Sequence, residues 1–80
     1  MNRFRIFAAE LVASNPDVWG RVFFHKDDKM CVMAMLCAVK HMDCVQVRKA
    51  AGRGIGLTLL NDRAKSAKDA AQAIWESADV

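Results

Sequence analysis

The sequence predicts an all-α protein, a compact bundle of about four short helices around a buried central helix, in one domain spanning residues 1–80. Three observations carry that prediction. Met30 to Val39 run ten residues without a charge, a glycine or a proline, and a helix that is apolar on every face belongs in an interior. The first and last segments repeat apolar residues at i, i+3, i+4 and i+7, the period of a half-buried helix. Asn, Asp and Ser stand where such segments should begin, with side chains that can take the first free backbone N–H groups.

In the first segment Phe4, Phe7, Ala8, Leu11 and Val12 form the stripe, with Arg3, Arg5 and Glu10 off it. Asn2 can cap this helix, which should end near Ser14. Asn15-Pro16-Asp17 is a break and restart. Asn15 can cap, Pro16 suits a first helical position, and a single turn through Trp19 should stop at Gly20. Arg21 to Lys26 reads as a connection whose aromatics, Phe23 and Phe24, plug the core.

The central helix should run from about Asp28 to His41. Asp27 and Asp28 would then favour the positive end of its dipole, and Lys40 and His41 the negative end. Asp43 with Gln46 is a capping box for a third helix from Cys44 to Ala51, ended by Gly52. Three glycines between Gly52 and Gly56 make a flexible loop. Leu57 to Leu60 is too brief to assign by period, and Asn61-Asp62 is a turn signal. Ser66 with Asp69 is a second capping box. It opens a last helix to about Ala78, striped by Ala67, Ala70, Ala71, Ile74 and Ala78, with Trp75 at the edge.

Composition bounds the function. A chain of 80 residues buries only about 60% of its unfolded surface, and 54% hydrophobic content, with five Met and two Trp, offsets that. The apolar run is half the length of a membrane span, which needs about 20 residues. Met1 to Ile6 enters an amphipathic pattern rather than a signal peptide. Three cysteines without secretory context read as reduced thiols of a cytoplasmic protein. The net charge of +3 is unevenly spread. Residues 40–68 hold Lys40, Arg48, Lys49, Arg53, Arg63, Lys65 and Lys68 against Asp43 and Asp62, whereas only acids follow Lys68. Such polarity suits a contact face or a solvated one.

From Leu11 onward, over about four-fifths of the chain, the layout resembles a family of small, uncharacterised helical domains found in bacteria and their phages. The matching elements are Trp19 before a loop, Cys31 with the Leu- and Ala-containing run to Ala38, Leu60-Asn61-Asp62, the Ser66 cap, and Ala70 through Ala78. Two positions depart from that pattern: Met33-Ala34, where a small residue is common, and Leu60, where the family usually has Trp. The resemblance implies a helical fold and carries no functional residue.

Four constellations bear on chemistry. Cys37, His41 and Cys44, with His25 as a fourth ligand, have spacing that would share a tetrahedral metal on one continuous helix. Asp43 should break that helix, which leaves Cys37 as a core residue and His41 at a helix end. Cysteine catalysis would fall to Cys44, since Cys31 and Cys37 lie in apolar sequence that disfavours a thiolate, and neither His has the Asp or Asn context of a base. Gly52-x-Gly54-x-Gly56 follows a helix and lacks a Gly-Lys-Ser/Thr ending, so it is no phosphate loop. Val45 to Gly52 looks like the start of a helix-turn-helix, but Gly54 and Gly56, each unfavourable by about 1 kcal/mol in a helix, stand where the recognition helix should begin.

The functional expectation is therefore a non-enzymatic protein-interaction module without cofactor or bound metal. Its concrete form is a phage or mobile-element inhibitor of a bacterial defence or nucleic-acid-handling complex, of the anti-CRISPR type. Arg48, Lys49, Arg53, Arg63 and Lys65 are the expected partner-binding residues. The partner would be a bacterial protein or ribonucleoprotein complex. The alternative is a nucleic-acid-binding regulator that uses the basic patch at 48–68.

Overall fold

Five helices run through the described residues: α1 (Arg3–Ser14), α2 (Val32–Lys40), α3 (Cys44–Ala51), α4 (Leu57–Arg63) and α5 (Ala67–Ser77). A computed structural model of the chain describes residues 1–21 and 29–79. The fold is all-α as expected, with one more helix than the sequence period resolves. Among the described residues there is no strand, only an isolated bridge between Trp19 and Met30. Gly20 N donates to Met30 O (2.9 Å) and Met30 N to Val18 O (2.7 Å). The expected placements of Phe23, Phe24 and His25, and of Asp27 and Asp28 at a helix start, lie outside the described residues.

The helix signals act locally as read. Asn2 Oδ1 accepts from Arg5 N (3.1 Å) and opens α1. Asp43 and Gln46 close both halves of their box, Gln46 N on Asp43 Oδ1 (2.8 Å) and Asp43 N on Gln46 Oε1 (2.9 Å). Ser66 Oγ accepts from Asp69 N (3.2 Å) and begins α5. Gly52, at φ 70°, ends α3 in a conformation that favours glycine. Pro16 to Val18 form the expected turn, while the Asn15 side chain serves the end of α1 by donating to Leu11 O (2.8 Å).

Three expectations are corrected. The first concerns α1, whose buried face is Arg5, Ala8, Ala9 and Val12, while Phe4, Phe7 and Leu11 are only half-buried. Its most extensive packing is against α5, whose whole predicted stripe of Ala67, Ala70, Ala71, Ile74 and Ala78 is buried. Alanines on both facing surfaces let the two helices approach closely, so α1 turns its small residues inward. Its larger side chains flank the contact, Phe7 with the Lys40 ammonium 4.3 Å from its ring centre.

The second correction concerns α2, which begins at Val32 rather than near Asp28 and is not buried all round. Val32, Met33, Met35 and Leu36 are enclosed, but Ala38, Val39 and Lys40 are exposed. α1, α3 and α4 pack on this helix, and a domain this small lacks the surface to wrap its last turn as well. His41, at φ 54°, closes α2 in the left-handed region.

The third correction is Asn61-Asp62, which is no turn. Both residues lie within α4, and Asn61 is fully buried. Its Oδ1 accepts from Trp19 Nε1 (2.7 Å) and from Val32 N (3.0 Å), while its Nδ2 donates to Gly20 O (3.0 Å) and Arg21 O (3.3 Å). Cys31, at the cap position of α2, supplies no side-chain bond. Asn61 thus caps the first N–H of α2 from a distant helix. The preference of Asn for turns is a local effect, and four hydrogen bonds, two of them fully buried, outweigh it.

Asn61→Ala removes the partners of two buried donors and two carbonyls. A loss of about 3 kcal/mol is expected, read as a lower midpoint in urea denaturation. Asp62→Ala, at the exposed neighbour, should change stability by less than about 0.5 kcal/mol.

Candidate functional site

The five cations expected to meet a partner are all exposed. Arg48 and Lys49 lie in the last turn of α3 and Arg63 in the last turn of α4, where positive charge also favours the helix dipole. Arg53 stands in the glycine loop and Lys65 between α4 and α5. They do not line one concavity. Arg48 is on the wall of a cleft between α3, the 52–56 loop and α4, whereas Arg63 and Lys65 line a second, between α4 and α5, with Asp69. On either side of Arg48, Lys49 and Arg53 in the chain are exposed apolar side chains: Val45 on α3, Ile55 in the loop and Leu59 on α4.

The first cleft encloses about 400 Å³, with Met33, Leu57 and Leu59 among its apolar walls and Arg48 and Asp62 among its charged ones. Arg5 reaches it from α1. This arginine is only 1% exposed, the one cation in the core among the described residues. Its Nε donates to Ala51 O (2.9 Å) and its Nη1 to Ser77 Oγ (3.0 Å), which ties α1 to the ends of α3 and α5. Asn2 Nδ2 donates to the same Ala51 carbonyl (2.8 Å), and Asn2 N to Ala78 O (2.9 Å). Burial pulls the Arg5 guanidinium below its ordinary pKa, because the charged form loses water.

The expected stripe of Phe4, Phe7, Ala8, Leu11 and Val12 leaves Arg5 out, yet Arg5 is buried. The sequence did hold a signal for it: Arg5, Ala8, Ala9 and Val12 follow the i, i+3, i+4, i+7 spacing as faithfully as the bulkier set. Large apolar side chains make the other stripe more prominent, and a charged side chain ordinarily stays in water.

The thiols are partly brought together. α2 ends between Cys37 and Cys44 as the capping box requires, with Met42 N returning to Cys37 O (3.2 Å). Burial pushes the Cys37 thiol above its ordinary pKa, and the neighbouring Cys44 thiol raises it further. His41 is exposed at the helix end. Among the described residues no three His, Cys, Asp or Glu side chains cluster to hold a metal, and His25 lies outside them.

No protein-family model, curated protein or solved structure matches the chain. Among the described residues no helix is long and apolar enough to cross a membrane.

Two outcomes follow from this geometry. Arg5→Met removes both guanidinium bonds and leaves Ala51 O with one partner fewer, and should lower stability by about 2 kcal/mol in thermal or urea unfolding. With its thiolate disfavoured, Cys37 should alkylate with iodoacetamide at pH 8 more slowly than free glutathione does, as followed by peptide mass spectrometry.

Proposed function

We propose that this protein is a small, non-enzymatic interaction module that docks on an acidic protein surface through α3, the 52–56 loop and α4. One observation carries the reading. On that stretch the exposed cations Arg48, Lys49 and Arg53 are flanked by the exposed apolar residues Val45, Ile55 and Leu59. Apolar side chains that remain in water next to charge suit an interface, where burial supplies affinity and charge supplies orientation and rate. A surface devoted to phosphate would carry cations more densely and would gain little from Val45 or Ile55.

Arg63 and Lys65, on the second cleft, extend the same charge toward α5 and would meet the periphery of the partner. The concrete version is an inhibitor of a bacterial defence or nucleic-acid-handling complex, encoded by a phage or mobile element and of the anti-CRISPR kind. That step rests on the size of the chain and on the family resemblance. A cytoplasmic location follows from the reduced thiols inferred from the sequence.

The test is an affinity pulldown from bacterial lysate with and without nuclease, using the wild-type chain and a triple variant, Arg48→Glu, Lys49→Glu and Arg53→Glu. A defined protein complex that survives nuclease and disappears with the triple variant is the expected result, with unchanged helical circular dichroism. Retention that nuclease abolishes would instead assign the basic stretch to nucleic acid, with affinity falling steeply as salt is raised.

A further inference from the structure

We propose that the cleft floored by Arg5 binds a small organic monocarboxylate with an apolar body, on a face whose Arg48 and Leu59 also belong to the proposed docking surface.

The first support is the guanidinium itself. Nε and Nη1 are engaged by Ala51 O and Ser77 Oγ, but Nη2 has no acceptor among the described residues. No fully enclosed side-chain nitrogen or oxygen there lacks a partner, so Nη2 is not wholly enclosed, and Arg5 is among the residues that line the cleft. A cation buried without a counter-charge is expensive, and burial lowers the pKa of Arg5. A strut between Ala51 and Ser77 needs hydrogen bonds and does not need a full charge. A carboxylate on Nη2 would use that charge through a charge-assisted bond and offset the desolvation.

The second support is the charge of the walls. Among the described residues, Arg48 and Asp62 are the other ionised side chains of the cleft. With Arg5 they leave one net positive charge, which matches a monoanion. A phosphate dianion would be left uncompensated and would face Asp62.

The third support is shape. About 400 Å³ falls in the range of small-molecule sites, roughly 300–1,000 Å³, and Met33, Leu57 and Leu59 offer an apolar lining to a hydrocarbon or aromatic body. The loop beside the guanidinium has a backbone that favours glycine. At Gly54, with φ 124°, a Cβ would stand 3.7 Å from Nη2, in a backbone conformation that L side chains rarely adopt.

The probe is octanoate, titrated below its micellar concentration into the full ¹⁵N-labelled chain, with octanol and octylamine as controls of equal length. Saturable shifts are expected at the Arg5 Nε–H and at the Gly52 and Leu57 amides, with octanol weaker by about tenfold or more. Because Arg5 variants can fail to fold, two exposed positions carry the mutational test. Arg48→Glu should weaken octanoate binding about tenfold, and Thr58→Trp at the cleft should block it, both with unchanged circular dichroism. Absence of saturable shifts would overturn the proposal. So would octanol or octylamine binding as tightly as octanoate, or octanoate binding that both variants leave unaltered. Neither result depends on the outcome of the pulldown.

Discussion

The Asn61 carboxamide is the interaction on which the rest of the structure depends. An amide has two donor hydrogens and an acceptor oxygen with two lone pairs, and Asn61 fills that capacity in the core with Trp19, Val32, Gly20 and Arg21. Each bond addresses a different weakness. The indole N–H of Trp19 would otherwise be buried unpaired, and the first N–H of α2 would have no cap. The carbonyls of Gly20 and Arg21 lie outside any helix. One side chain therefore joins α4 to the start of α2 and to the segment before it. The Trp19–Met30 bridge pins the same two segments a second time. Trp19 and Asn61, two of the residues on which the family resemblance rests, are thus bonded to each other.

A second polar junction closes the other end of the bundle. Ala51 O, at the end of α3, takes both Asn2 Nδ2 and Arg5 Nε, and Arg5 continues to Ser77 on α5. Helix ends leave carbonyls unpaired, and here the opening of α1 satisfies the last turns of two other helices. The arrangement is economical in residues and expensive in charge, since a guanidinium must leave water without a carboxylate beside it among the described residues. The cleft that borders Arg5 is where such a charge can be used.

The two junctions divide the molecule's roles. Alanine faces on α1 and α5 give a tight, unspecific pairing, and the polar junctions fix where the shorter helices sit against it. α3, the glycine loop and α4 are left with exposed Val45, Ile55 and Leu59 among cations. The last turn of α2 is similarly uncovered, with Val39 half in water. A domain of this size cannot enclose every apolar residue it carries.

By itself the sequence determined what is local. The all-α class, the Asn2, Asp43 and Ser66 caps, the stop at Gly52 and the whole buried stripe of α5 were legible, because each depends on residues within a turn or two of one another. The exposure of Arg48, Lys49, Arg53, Arg63 and Lys65 was legible for the same reason: long charged side chains stay in water unless something specific holds them. Tertiary structure decided the rest. It turned Asn61 from a turn residue into a buried hub and made Arg5 part of the core. It also delayed the start of α2 to the point where a distant amide could cap it, and separated Arg63 and Lys65 from Arg48. In each case the deciding partner is far away in the chain, Asn61 to Trp19 across 42 residues and Arg5 to Ser77 across 72. Local period and propensity hold no information about a hydrogen bond formed at that separation.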